Sequence, residues 1–120
     1  MYLGKTLREF ESLGCPDPKK TAIAARVYID LLKNNHLNDV EKTYDTELKE
    51  IYMRGLRLGD LYHVIPVRST EQIKLAEMNT IRSRFADMGK LILAVYNSCG
   101  KVMYFDLQDG ISEMRFERTN

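Results

Sequence analysis

The last third of this chain holds three runs of alternating apolar and polar residues, and the two turns between them agree on one strand register. Asp109-Gly110 is a two-residue hairpin signal that places Phe105 opposite Met114 and Met103 opposite Phe116. In the earlier turn, a three-residue loop Ser98-Cys99-Gly100 with glycine at the left-handed position pairs Val95 with Met103 and Leu93 with Phe105. One face then carries Leu91, Leu93, Val95, Met103, Phe105, Leu107, Met114 and Phe116, with Ser112 its only polar member. A slip of one residue turns a strand's whole apolar set outward. The agreement of turn chemistry with pattern therefore predicts a three-stranded antiparallel meander over residues 91–97, 101–107 and 111–117.

Upstream, the periodicity is helical. Leu7, Phe10 and Leu13 share one side of a first helix from Lys5 to Leu13, with Gly14 past its end. Asp17 is a good N-cap and Pro18 suits the first helical position, so a second helix runs to Asn34 or Asn35. Its only polar stripe is Arg26, Asp30 and Lys33. A third helix is expected from Asn38 to Gly55, with Val40, Tyr44, Leu48 and Ile51 as its apolar stripe. Leu61 to Val67 reads as a short strand that Pro66 directs to a sheet edge. The capping box Ser69-Thr70-Glu71-Gln72 opens a helix carrying Leu75, Met78, Ile81, Phe85 and Met88 until Gly89.

The expected fold is thus α+β: N-terminal helices, a short strand and a helix, then the meander. At 120 residues and 44% apolar content, one domain over residues 1–120 accounts for the chain. No apolar run approaches the roughly 18–20 residues that span a bilayer, and the start lacks a signal pattern, so no membrane partner and a cytoplasmic location are expected. Cys15 and Cys99 form no spaced set with His36 and His63, and neither histidine sits in a local motif. No metal, cofactor or catalytic residue is predicted, because phosphate-binding loops, nucleophile elbows and zinc motifs are all missing. An enzyme is therefore not expected.

Charge is uneven. Residues 54–101 carry 8 basic and 4 acidic side chains, against 8 and 9 before them and 2 and 4 after. The helix of residues 70–88 followed by a hairpin resembles the recognition helix and wing of winged-helix DNA-binding domains, an architectural likeness only. The nucleic-acid candidates are Lys74, Asn79, Thr80, Arg82, Ser83, Arg84, Lys90 and Lys101. Against this, Arg82 and Arg84 project about 160° apart on a helix and form no single basic face. Lys19 and Lys20, in the first turn of the second helix, read by default as a pair of solvated lysines, the alternative being that they and the helix N–H groups receive a phosphate or an acidic side chain.

The other face of the meander displays Ile92, Ala94, Tyr96, Val102 and Tyr104 beside Asp106, Glu113 and Arg115. Ile92, Tyr96, Tyr104 and Arg115 are the candidates for docking a partner protein or a second copy, with Tyr104 placed opposite Arg115. A helix covering this face would instead make the sheet a central layer. Asp106 and Glu113 are expected to face each other. Two functions follow: a non-catalytic regulatory module that binds nucleic acid, or a small inhibitor, adaptor or subunit that docks on another protein.

Overall fold

Asp17 and Pro18 set the main helix. In the computed structural model, which describes residues 3–70, 73–107, 110–114 and 116, Asp17 caps helix α2 (Pro18–Lys33) and accepts from the backbone N–H groups of Lys19 and Lys20. Helix α1 (Leu3–Glu11) precedes it, and Gly14 follows α1 at φ 89°. α2 starts where its cap predicts, whereas α1 lies two residues earlier than the expected Lys5 to Leu13. Phe10 of α1 and Ile23, Ala24, Val27 and Leu31 of α2 are buried together.

The segment expected as a third helix is a β-hairpin. β1 (Asn38–Asp45) pairs antiparallel with β2 (Glu50–Arg57). The Val40, Tyr44, Leu48 and Ile51 spacing competes with a period of two, in which Ile51, Met53, Gly55 and Arg57 are buried while Arg54 and Leu56 are exposed. The turn decides the matter. Asp45 Oδ1 accepts from the N–H groups of Glu47 and Leu48 at 2.9 and 3.1 Å, and Lys49 takes φ 57°. The aspartate thus reverses the chain at the point where a helix would have to continue.

β3 (Asp60–Arg68) is central, not an edge strand. β2 pairs with it antiparallel from Arg57↔Asp60 to Met53↔Val64, and β4 (Lys90–Tyr96) pairs with it in parallel from Tyr62↔Lys90 to Arg68↔Tyr96. The Ser69 N–H donates to the Tyr96 carbonyl. Because successive residues point their backbone groups to opposite sides, the Pro66 nitrogen faces the β2 side. The β2 ladder has ended at Val64 by then, so the proline costs no hydrogen bond.

The expected architecture is corrected accordingly. β4, β5 (Val102–Asp106) and β6 (Ser112–Met114) are not a three-stranded meander of their own but half of a six-stranded mixed sheet in the order β1-β2-β3-β4-β5-β6. Helix α3 (Leu75–Arg84) is the crossover between parallel β3 and β4, which replaces the winged-helix arrangement. It is shorter than expected and starts at Leu75 with Lys74 as an N-cap that makes no side-chain bond. Glu71 and Gln72 of the expected capping box lie outside the described residues. α1 and α2 cover one face of the sheet over Met53, Tyr62, Val64, Ile92 and Tyr104. α3 covers the other over Ile65, Val67, Leu91, Leu93 and Leu107.

The β4–β5 pairs are those the turn predicts, including Leu93↔Phe105 and Val95↔Met103, with Gly100 at φ 82°. The β5–β6 register differs by one residue. Tyr104 opposes Met114, Phe105 opposes Glu113, and Asp106 opposes Ser112, so Asp106 and Glu113 do not face each other. Asp109 of the expected turn lies outside the described residues. Leu107 leaves the hairpin, is fully buried on the α3 side, and donates its N–H to Leu91 O at 3.0 Å. Met114 and Phe116 consequently pack on the α2 face rather than with Phe105.

Gly89 gives a direct test of the crossover. At φ 104° it lies where an added Cβ would stand 2.4 Å from Leu61 O, whereas Gly14 at φ 89° has open space. Gly14→Ala should cost about 1–2 kcal/mol for the left-handed backbone alone. Gly89→Ala should cost clearly more in urea denaturation, because backbone would have to move as well.

Candidate functional site

The described arginines and lysines of the predicted nucleic-acid surface are dispersed, and several are used internally. Arg82 Nε donates to Leu107 O at 2.7 Å, one terminal nitrogen donates to Gly110 O at 3.0 Å, and the other reaches Asn79 Oδ1 at 3.4 Å. Arg82 therefore clamps the β5–β6 loop onto α3. Arg84 pairs with Asp45 at 3.0 Å and ties the β1–β2 turn to the end of α3. Thr80 returns its hydroxyl to Ala76 O, and Ser83 is exposed. Lys90 lies 3.7 Å from Asp60, while Lys74 and Lys101 are exposed at other places on the sheet and helix ends. Lys20 is not a solvated lysine, since its ammonium pairs with Glu50 and reaches Lys49 O.

The tyrosine face meets α2. Ile92 is 1% and Tyr104 6% exposed, so the surface proposed for docking is the floor of the α2 layer. Tyr96 is half-buried, with the Arg26 guanidinium 5.6 Å from its ring centroid. Arg115 lies outside the described residues, and Tyr104 stands across from Met114 and Ala94.

What the structure brings together at this place is a polar and aromatic cluster at the end of α2. The helix ends in a Schellman motif. Asn35 takes φ 54° and donates to Leu32 O, and the His36 N–H returns to Leu31 O at 2.9 Å. This fixes His36 against the sheet, stacked on Phe116 with ring centroids 4.5 Å apart and edge-on to Tyr104 at 5.4 Å. The Tyr104 hydroxyl donates to Asp30 Oδ2 at 2.6 Å, and His36 Nε2 lies 3.8 Å from the same oxygen. Arg57 donates to His36 O and lies over the Phe116 ring.

The phenol and the imidazole of this cluster are shifted in opposite directions. Burial first, and then the Asp30 acceptor, push the Tyr104 phenol far above its ordinary range, so it remains a donor. Burial holds the His36 imidazole below its usual value; Asp30 opposes that shift and Arg57 adds to it. Asp30 and His36 were missed as partners in the sequence because one belongs to a helical polar stripe and the other to a loop. Only a correct β5 register together with α2 over that face could have joined them.

His63 is a separate case. It is 1% exposed on the α3 face, its ring 5.0 Å from Phe85 and 5.9 Å from Tyr52, and neither ring nitrogen has a hydrogen-bond partner among the described residues. Burial chiefly, with the Arg54 charge, lowers its pKa from the usual 6.5. Among the described residues, no three His, Cys, Asp or Glu side chains converge as a metal-ligating group.

Two measurements check these assignments. Tyr104→Ala should cost about 3–5 kcal/mol, as truncation of a buried aromatic does. Tyr104→Phe should cost about 1–3 kcal/mol by leaving Asp30 Oδ2 without its hydroxyl donor, while Oδ1 keeps the Asn34 amide. For His63, the folded protein resists a proton that the unfolded chain accepts. Stability should therefore fall as pH drops through 6.5 toward the lower folded value, and be complete above it. His63→Phe should lessen that loss, read as the difference in urea midpoint between pH 8 and pH 5.5, whereas an unchanged difference would refute the assignment.

No described helix is long and apolar enough to cross a membrane. None of the curated proteins compared matches the chain. A family model described as Sen15 protein matches residues 26–116, from the body of α2 through every strand to Phe116. The small α+β chain, with its two helical layers on a six-stranded sheet, belongs to the Sen15 protein family, a family of protein-complex subunits.

Proposed function

We propose that this chain is a non-catalytic subunit of a tRNA-splicing endonuclease complex and works by docking on a partner protein. The observation that carries the reading is the family match over residues 26–116, which takes in the whole sheet and α3. The side chains favour a supporting role. Tyr104 is a buried donor to Asp30, His63 is shut off from solvent, and Arg82 and Arg84 hold loops in place. Nucleic acid enters this reading as the substrate of the assembly, with exposed Lys74 and Lys101 available at its margin.

The test is purification of the tagged chain from its own cells with nuclease present. The expected result is a complex of defined stoichiometry that cleaves an intron-containing tRNA precursor, while the isolated chain does not. Recovery without endonuclease subunits, or cleavage by the chain alone, would overturn the proposal.

A further inference from the structure

On the α3 face the sheet is forked. β2 pairs with β3 only as far as Met53↔Val64, while β3 continues to Arg68 with β4 alone beside it. In the fork, between the β1–β2 turn and α3, lies an open cavity of about 420 Å³. Its floor is apolar, made by Leu48, Ile65, Val67 and Ile81, and Glu47 and Glu77 bring two carboxylates to it from opposite walls. The one cation in the lining, Lys20, is already paired with Glu50.

The walls are held in place before any ligand arrives. Asp45 accepts from the Glu47 and Leu48 N–H groups and pairs with Arg84 at the end of α3, which fastens the turn to the helix. Burial by itself would raise the Asp45 carboxyl. The Leu48 and Glu47 N–H groups and the Arg84 guanidinium outweigh it and hold that carboxyl below its ordinary range, so the tie is intact at neutral pH. A preformed wall removes an ordering cost from binding.

We infer that this groove seats a short segment of a partner subunit, one that inserts an apolar side chain over Ile65, Val67 and Ile81 and sets a lysine or arginine beside Glu47 and Glu77. The inference rests on the subunit reading above. Its occupant follows from charge and chemistry: a pocket of this size with an apolar floor and a charged rim, within the roughly 300–1,000 Å³ usual for binding sites, suits an anchor side chain with a charged neighbour. The Glu47 and Glu77 carboxylates favour a cationic neighbour and disfavour phosphate.

The experiment uses the complex purified through the tagged chain. A carbodiimide, which joins carboxylates to amines without a spacer, should link Glu47 and Glu77 to lysines within one short stretch of a partner subunit. The double variant E47K/E77K should keep its melting temperature within a few degrees and reduce recovery of that subunit at least tenfold. Reversing the linked partner lysine to glutamate should restore it. If the complex forms but the links lie elsewhere and the double variant binds normally, the groove inference fails while the subunit reading stands. Links between two copies of this chain overturn it in favour of self-association. If no complex is recovered at all, the subunit reading itself fails and takes this inference with it.

Discussion

Burial of β3 on both faces is the constraint on which the remaining structure depends. Tyr62 to Val67 are all buried, with Tyr62 and Val64 toward α2 and Ile65 and Val67 toward α3. A strand of that kind needs a layer on each side and a neighbour on each edge. α1 and α2 supply one layer and α3 the other. The parallel neighbour β4 in turn requires a crossover, because parallel strands cannot be joined by a tight turn. α3 is therefore both a covering helix and a connection, and at Gly89, just before β4, the crossover passes close enough to Leu61 to leave no room for a side chain.

Polar ties then hold the layers in register. Tyr104 and Asp30 join the sheet to α2, Arg82 joins α3 to the β5–β6 loop, and Arg84 joins α3 to the β1–β2 turn through Asp45. Charge-assisted hydrogen bonds to backbone carbonyls and to a buried carboxylate are stronger than those between neutral groups. They explain why two arginines on a short, largely exposed helix serve the fold. Seen only in the sequence, the same arginines suggest a phosphate-binding face. Among the described residues, the tyrosine, histidine and arginine side chains that stand out in the sequence are thus largely turned to partners within the fold.

The legible parts of the sequence were those settled within a few residues. Asp17 and Pro18 start α2 wherever the helix ends up, because the cap bonds span only two or three positions. The Ser98-Cys99-Gly100 loop, with Asn97 Oδ1 accepting from the Cys99 and Lys101 N–H groups, sets the β4–β5 register on its own. The site was much less legible. Asp30, His36, Tyr104 and Phe116 converge from α2, a loop, β5 and the segment after β6, so no spacing in the chain announces them.

Where distant partners competed with local pattern, the tertiary structure decided. Asn38 to Gly55 satisfies a helical stripe and a strand alternation at once, and the Asp45 turn together with the edge that β3 offers selects the hairpin. Leu107 abandons the expected two-residue turn because burial against Leu91 and the Arg82 clamp hold it on the α3 side, and that single slip carries Met114 and Phe116 to the opposite face. Caps, turns and amphipathic helices belong to the sequence itself, since their hydrogen bonds close within one turn of chain. The neighbours of β3, the last register and the chemistry at the end of α2 belong to the tertiary structure, since they depend on which surfaces remain to be buried once the chain has folded back on itself.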